Sequence, residues 1–148
     1  ANHYAVAGSD LSQSPNFIIP DSVNGIKVEE IRTGAFADGD LQDVVVPKSI
    51  THIGANAFCK NDDGYLGGLI GGEWPQIQII FEGTKAEWDA IPKDPNWDDN
   101  IGANSNLVCL GDSTPCYYNK KNKNTGASWD KKDGYPGWFN ERYPEWAN

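Results

Sequence analysis

Two short segments recur along this chain with the same order of apolar, small and turn-forming residues. Segment 31–36 (IRTGAF) aligns with 53–58 (IGANAF), so that an Ile and a Phe each return after 22 residues. An earlier segment, 17–23 (FIIPDSV), aligns with 44–50 (VVVPKSI). Internal repeats at periods of roughly 20 to 50 residues are typical of proteins built from stacked supersecondary units. The repeat therefore favours a fold made from such units.

Each unit predicts a short strand, a corner and a turn of helix. The β-branched run 44–46 favours a strand. Pro47 ends that strand because proline has no amide hydrogen to donate to a ladder. The Ala–Phe steps predict helical turns whose rings point into the stack, and an alanine fits where neighbouring coils crowd together. The residues that we expect to form the structural core are Ile31, Phe36, Ile53, Phe58 and Trp88.

A capped helix is predicted directly after the last apolar strand. Thr84 and Glu87 have the spacing of a capping box, in which each side chain accepts from the other residue's amide. Trp88 and Ile91 then share one helical face, and Pro92 ends the helix. We interpret Trp88 as a core residue, since a single aromatic ring at helical spacing is more often packed than ligand-binding.

Segments 19–36 (IPDSVNGIKVEEIRTGAF) and 41–58 (LQDVVVPKSITHIGANAF) together resemble the BspA-type leucine-rich-repeat family, whose pattern is close to I-P-x-S-V-x-x-I-G-x-x-A-F-x-x-C-x-x-L. Segments 79–97 (IIFEGTKAEWDAIPKDPNW) and 107–112 (LVCLGD) resemble the strand, Gly-Thr, helix and last strand that often close these arrays. The resemblance covers about residues 16–112. It implies a mainly β protein with short helices, folded as a short leucine-rich-repeat solenoid of about two and a half units with an irregular aromatic C-terminal tail.

The chain departs from the family in two places. A Gly-rich stretch, 59–75, lengthens the second unit, and residues 113–148 match nothing in the repeat. We therefore expect two parts: 1–112, a leucine-rich-repeat module with a closing strand–helix–strand unit, and 113–148, an aromatic and Lys-rich capping or docking tail. Stacked repeats need protected ends, so one interpretation is that the tail caps the solenoid of its own chain.

The tail differs from the rest of the chain in charge and in aromatic content. Residues 1–110 hold 16 acidic and 6 basic side chains, whereas residues 111–148 hold 5 and 6, together with 8 of the 17 aromatic residues. The alternative interpretation is that the tail docks on a neighbouring subunit or a glycan, since such interfaces use Tyr and Trp. The residues assigned to this docking role are Tyr117, Tyr118, Trp129, Trp138, Phe139, Tyr143 and Trp146.

Residues that usually carry catalysis or hold metals form no recognisable arrangement in this sequence. The chain has two histidines, His3 and His52, and neither belongs to a Ser–His–acid, Cys–His or zinc-binding pattern. Asp94, Asp98 and Asp99 carry the oxygen ligands that calcium prefers but lack EF-hand spacing, so a solvated acidic turn is the simpler interpretation. We therefore predict a protein that is not an enzyme, with no catalytic residue, no metal site and no cofactor.

Charge, hydropathy and cysteine content limit the partners. The net charge of −9 disfavours nucleic acid, and no apolar run approaches the ~20 residues of a membrane span. Cys109 and Cys116 can close a disulfide loop; the alternative is three reduced thiols, with Cys59 packed under a repeat. The expected partners are proteins, either neighbouring subunits or a surface receptor, while a glycan and homo-oligomerisation are also compatible with the sequence.

The function that we predict is structural and protein-binding. The first hypothesis is a surface-displayed component of a larger assembly, such as a phage virion decoration or tail-associated protein. The second, which follows from the family resemblance, is a bacterial cell-surface adhesion module that binds host or matrix protein. The third is a glycan-binding module that uses Trp129, Trp138 or Trp146. The corresponding locations are the virion surface or the extracellular cell surface.

Overall fold

Short strands and short helices alternate along the chain. The computed structural model describes residues 3–7, 16–36, 41–58, 77–99, 101–102, 105–113, 116–121, 125–128 and 137–146. The described strands are β1 (Tyr4–Val6), β2 (Asn16–Ile18), β3 (Ser22–Val23), β4 (Ile26–Ile31), β5 (Asp43–Val46), β6 (His52–Ile53), β7 (Gln78–Phe81), β8 (Asn106–Cys109), β9 (Cys116–Asn119) and β10 (Thr125–Ser128). The described helices are α1 (Lys85–Ala90), α2 (Gly137–Arg142) and a 3₁₀ turn (Pro144–Trp146). The Gly-rich stretch 59–75, with Cys59, lies outside the described residues.

Two mixed sheets make up most of the described chain, so the protein is mainly β with short helices, as the sequence predicts. The larger sheet has the strand order β10-β9-β8-β7-β5-β2. Its strands β2, β5, β7 and β8 run parallel, whereas β9 and β10 are added antiparallel. In the smaller sheet β4 lies between β1 and β6, both parallel to it, and also forms a hairpin with β3.

The repeated segments lie side by side in the alignment that the sequence predicts. Phe17 pairs with Val44 in the larger sheet, and Ile31 pairs with Ile53 in the smaller one. A slip of one residue in either pairing would turn apolar side chains from the core to solvent, so the hydrophobic pattern specifies this register. The internal alignment is thus confirmed, because equivalent positions of the two units are neighbours on parallel strands.

Three strands of the larger sheet, β5, β7 and β8, are buried on both faces, which explains their unbroken apolar runs. Val44 and Val46 face the main core, whereas Val45 faces a second, smaller core, and all three are 0% exposed. Parallel strands covered on both faces favour continuous β-branched sequence over alternation. The residues predicted to form the structural core all lie in the main core: Ile31, Phe36, Ile53, Phe58 and Trp88.

Helix α1 begins and ends where the sequence predicts. The Thr84 hydroxyl accepts a hydrogen bond from the Glu87 amide at 3.1 Å, which is the N-cap interaction of the expected capping box. The Thr84 hydroxyl also lies 3.2 Å from Glu87 Oε1, so the Glu87 carboxylate accepts from this hydroxyl. Ile91 is the C-cap, and Pro92 follows it. The helix therefore needs only six residues between its caps.

Lys93 occupies the position next to Ile31 and Ile53 on the neighbouring parallel segment. Ile53 forms a parallel β-bridge with Lys93, so the closing unit lies on the second repeat as a third layer. The Lys93 ammonium donates to the carbonyl oxygens of Trp88 and Ile91, and it lies 4.8 Å from the centre of the Trp88 ring. Burial lowers the pKa of Lys93. This side chain satisfies carbonyls at the C-terminal end of α1, where a cation is favourable.

Candidate functional site

The C-terminal helix lies on the outer face of the larger sheet and covers its strands β5, β7 and β8. Phe139 is 0% exposed and Tyr143 is 6% exposed, and both pack in the second core with Val45, Ile80 and Val108. These two rings are taken up by the protein's own core and are not available to an outside partner. This burial corrects their assignment to the docking role.

The other residues assigned to docking are distributed over several elements of the tail. Tyr118 is half-buried and packs against the main core. The backbone places Tyr117 in β9, Trp138 in α2 and Trp146 in the 3₁₀ turn. Trp129 lies outside the described residues. The part of the chain interpreted as a tail thus supplies two strands to the larger sheet and a helix to its outer face.

A polar clamp fixes this helix to the end of β7. The Tyr143 hydroxyl donates to Glu82 Oε2 at 3.2 Å, and Arg142 Nη2 lies 3.5 Å from Glu82 Oε1. Burial raises the pKa of Tyr143, so the phenol keeps the proton that it donates. Both carboxylate oxygens of Glu82 are therefore engaged within the chain. The helix thus covers the outer face over Val45, Ile80 and Val108, whereas Ile18 of β2 stays 40% exposed.

A row of carboxylates and imidazoles crosses the face of the smaller sheet that points away from the core. His52 Nε2 lies 2.9 Å from Asp94 Oδ1, and His52 Nδ1 lies 3.4 Å from Glu30 Oε1. The row continues to His3, whose Nε2 is 3.8 Å from Glu30 Oε2. Asp94 Oδ2 also accepts the Ala55 amide at 3.1 Å. The hydrogen bond with Asp94 raises the pKa of His52, so the charged imidazole is favoured in the folded protein.

This row joins the layers of the protein. Both ring nitrogens of His52 face carboxylates, so neither is directed at a hydroxyl or thiol nucleophile. In the described ranges, no group of three or more His, Cys, Asp or Glu side chains could hold a metal ion. Asp94, which the sequence suggested as a solvated turn residue, has a side chain that is 40% exposed and that also links the third layer to the second. The main-chain carbonyl of Asp98 accepts a hydrogen bond from the Lys120 ammonium.

An open cleft with charged walls lies at the corner where the strands of the larger sheet end. Its volume is about 510 Å³, and its lining residues are Asp21, Lys27, Pro47, Lys48, Ser49 and Glu82. We name it the charged cleft. Pro47 ends β5 here, and Asp21 and Lys48 hold the same corner position in the two aligned repeats. The parallel pairing of β2, β5 and β7 therefore brings together side chains that are far apart in the sequence.

A second cleft adjoins α1 and has an apolar floor. Its volume is about 290 Å³, and its lining residues are Lys48, Ile50, Thr51, Phe81, Glu87, Ala90, Ile91 and Pro92. Ile50, Phe81 and Ile91 are 2%, 1% and 8% exposed, so they form the bottom of this apolar cleft. Lys48 lines both clefts. We refer to the two clefts together as the corner groove.

Charged side chains of both signs line the corner groove. Lys27 has no ion-pair partner among the described residues. Lys48 Nζ lies 3.6 Å from Glu87 Oε2, but these side chains are 61% and 45% exposed, and solvated pairs of this kind contribute little. Glu82 is held by the clamp described above. The corner groove is therefore lined by two lysines, Lys27 and Lys48, and by three carboxylates, Asp21, Glu82 and Glu87.

A buried hydroxyl also borders the charged cleft. Ser49 Oγ is shielded from solvent and makes no hydrogen bond with the described residues. Leaving a buried polar atom without a partner costs about 1–3 kcal/mol. Such groups are rare in folded proteins and are often found where a ligand or an ordered water supplies the missing bond.

Sequence reasoning missed the corner groove because its walls come from three layers of the fold. One signal was available in the sequence: Lys27 and Lys48 are two of the six basic residues among positions 1–110. Lys48 also directly follows the proline that marks the corner. Only the register of the layers, which the sequence did predict, brings Lys27 near this corner.

Comparisons with protein-family models, with curated proteins and with solved structures yield no match to this chain. Within the described part of the chain, no helix is long and apolar enough to cross a membrane.

Proposed function

We propose that this chain is a short leucine-rich-repeat module of the BspA type that acts without catalysis, as a protein-binding component of a larger assembly. The observation that carries the proposal is the pairing of repeat-equivalent residues on neighbouring parallel strands, as at Ile31 and Ile53. In stacked repeats each unit contacts its neighbours, and the side chains at the corners and on the faces are left to bind partners.

The arrangement of charged groups supports a role in binding rather than in catalysis. His52 has a carboxylate at each ring nitrogen, and Glu82 is held by Arg142 and Tyr143. These groups are used to hold elements of the fold together. The corner groove, by contrast, offers charges and apolar surface without a nucleophile–base pair beside them.

Within this proposal, a surface-displayed protein of a phage particle is the assembly that we favour. A small, acidic protein whose C-terminal helix covers its own sheet presents corners and charged faces to its surroundings, which suits a decoration or tail-associated role. The corresponding location is the virion surface. The partner is a protein of the same particle or its receptor.

A cell-surface adhesion module is the second candidate, and one observation favours it. Cys109 and Cys116 occupy directly opposite positions on antiparallel strands. Opposite Cα atoms in such a pair are about 4.5–5.5 Å apart, which lies within the range that a disulfide spans. A bridge here would suit an oxidising, extracellular location.

Fractionation of the producing culture tests the proposal. An antibody against the chain is applied to purified particles, to cell envelopes and to the soluble fraction. We expect the chain to copurify with particles at a fixed ratio to the other structural proteins. Recovery only in the envelope fraction would replace the favoured role by the adhesion role, and recovery only as a free soluble protein would contradict both.

A further inference from the structure

We propose that His52 is a pH-dependent switch in the contact between β4 and β6. The protonated imidazole holds the carboxylates of Asp94 and Glu30, one at each ring nitrogen, and the neutral imidazole releases Glu30. The two parallel strands of the smaller sheet are therefore held together more tightly at acidic than at alkaline pH. This inference follows from the contacts of His52 and does not depend on the assembly role proposed above.

The geometry places His52 between carboxylates from two different elements. Its Nε2 lies 2.9 Å from Asp94 Oδ1, and its Nδ1 lies 3.4 Å from Glu30 Oε1. An ionised carboxylate only accepts hydrogen bonds, so each contact needs an N–H group on the imidazole. The charged imidazole has two N–H groups, whereas the neutral imidazole has one. The neutral ring can therefore donate to one of the two carboxylates but not to both.

Asp94 is the carboxylate that the neutral imidazole keeps. Its contact with His52 is the shorter of the two, and this hydrogen bond is the largest cause of the raised pKa of the imidazole. Asp94 Oδ2 also accepts the Ala55 amide at 3.1 Å, so the carboxylate is held in place from a second side. The neutral ring then carries its proton on Nε2, and the lone pair of Nδ1 faces Glu30.

Glu30 is the carboxylate that can turn away. Its side chain is 29% exposed, and its second oxygen, Oε2, lies 3.8 Å from Nε2 of His3. A nitrogen lone pair repels a carboxylate, and Glu30 has both solvent and His3 as alternative neighbours. Loss of the proton from His52 thus removes the side-chain link between β4 and β6.

The other charged groups near this row have different neighbours. Glu29 of β4 lies 3.8 Å from Nδ1 of His3 and adds negative charge to the row. The Lys93 ammonium donates to carbonyl oxygens at the C-terminal end of α1, and Arg32, directly after β4, is exposed to solvent. Among the described side chains, protonated His52 therefore supplies the positive charge between its two carboxylates.

Backbone hydrogen bonds show where the switch acts. The amides of Thr51 and Gly54, on either side of β6, donate to carbonyl oxygens of β4, each at 2.7 Å. The amides of Ile53 and Asn56 donate instead to carbonyl oxygens of segment 92–96 in the third layer, at 3.0 and 2.9 Å. Because Asp94 in that segment stays bound to His52, only the first pair of amides should lose protection when the imidazole becomes neutral.

Nuclear magnetic resonance of the imidazoles tests where the proton lies. The ¹⁵N shifts of His52 are followed in the full chain between about pH 5 and 9, and His3→Gln assigns the signals. We expect the neutral ring to be the Nε2–H tautomer and Glu30→Gln to lower the pH at which His52 titrates. Glu29→Gln should leave that titration close to the wild type, since Glu29 is not among the causes of the raised pKa of His52. A neutral ring with its proton on Nδ1, or equal effects of the two substitutions, would overturn the proposal.

Amide hydrogen exchange tests the effect on the contact between the strands. Protection factors are compared at pH values on both sides of the titration of His52. Those of Thr51 and Gly54 should fall about two- to fivefold on the alkaline side, the range that exposed ion pairs contribute, while those of Ile53 and Asn56 stay unchanged. In Glu30→Gln the difference should disappear, because the new side-chain amide can accept from or donate to either form of the ring. Unchanged protection of all four amides, equal losses in both pairs, or a loss that persists in Glu30→Gln would each contradict the switch.

Discussion

The rings of Phe36 and Phe58 lie parallel, with their centres 5.9 Å apart and their planes inclined by only 8°. The two residues occupy equivalent positions in the aligned segments. Their rings therefore stack between one layer and the next. Phe17 extends this column on one side and Trp97 on the other, both edge to face. Aromatic pairs of this kind contribute about 0.5–1.5 kcal/mol beyond the area that they bury.

Replacing Phe58 by Ala should remove the centre of this column. We expect the free energy of unfolding to fall by about 3–5 kcal/mol, because a large buried ring leaves a cavity. Urea unfolding followed by circular dichroism measures the change. Tyr4→Ala is the control, since Tyr4 is 42% exposed, and should change stability far less. Similar losses in the two variants would contradict a contribution of the stacked aromatic rings to the free energy of unfolding.

The stability of the protein should depend on pH through His52. The hydrogen bond with Asp94 raises the pKa of this imidazole above 6.5, so its charged form stabilises the fold. That contribution is complete below pH 6.5 and is lost as the pH rises through the raised value. The acidic groups that face the imidazoles of His52 and His3 are Glu29, Glu30 and Asp94. We expect the melting temperature to fall as the pH rises over this window.

Two substitutions isolate the source of that pH dependence. His52→Gln cannot take up a proton, so its melting temperature should vary less between pH 6 and 8 than that of the wild type. His3→Gln should keep most of the slope, because the contacts of His3 are longer, at 3.8 Å. A slope that survives in His52→Gln and disappears in His3→Gln would contradict the assignment.

Adding a single methyl group at Gly54 should separate two layers. A Cβ atom at this position would lie 2.4 Å from the Thr33 backbone nitrogen, and the Gly54 amide donates to the Ile31 carbonyl at 2.7 Å. Backbone atoms cannot move aside as a flexible side chain can, so we expect Gly54→Ala to cost about 1–3 kcal/mol through overpacking. Thermal unfolding measures the loss.

Gly25→Ala is an informative comparison for the Gly54 variant. A Cβ atom at Gly25 meets nothing within 4 Å, but the residue has a φ of +79°. The cost there should be near 1 kcal/mol and should come from backbone conformation alone. Replacing Gly25 by Asn, which tolerates positive φ better, should recover part of that loss. Asn at Gly54 should recover nothing.

Replacing Phe139 by Ala should uncover the outer face of the larger sheet. The ring is 0% exposed and packs with Val45, Ile80 and Val108, so its removal should cost about 3–5 kcal/mol. Binding of the dye ANS, which reports exposed apolar surface, should rise in the variant. Glu141→Ala, an exposed residue of the same helix, should leave dye binding and stability close to the wild type.

The sequence predicts the repeat, its register and the capped helix because each of these depends on local spacing. Ile31 and Ile53 could be aligned from their neighbours alone, and parallel pairing then follows. The burial of Phe139 could not be located in this way, since its partners come from three different strands. One clue was present: Val45 lies between two core valines, and a run apolar at every position indicates a strand covered on both faces.

The candidate groove could not be predicted from the sequence for a related reason. Lys27 and Lys48 come from different layers, and their closeness depends on how the corners turn rather than on any motif. The assignment of Tyr143 to docking was corrected because an aromatic residue in a polar segment can equally bury its ring and keep its hydroxyl on a charged partner, here Glu82. Composition alone does not distinguish these two uses of tyrosine.

The pairing in the larger sheet changes from parallel to antiparallel at β9, so the two ends of the sheet differ. A duplicated unit brings its own parallel strand, which can be inserted beside β2, β5 or β7 without altering the hydrogen-bonding pattern of its neighbours. Beyond β8 the same unit would meet a strand of the wrong polarity. In the repeat module proposed above, a unit added by duplication therefore fits on the N-terminal side of β9, where its strand finds a parallel neighbour.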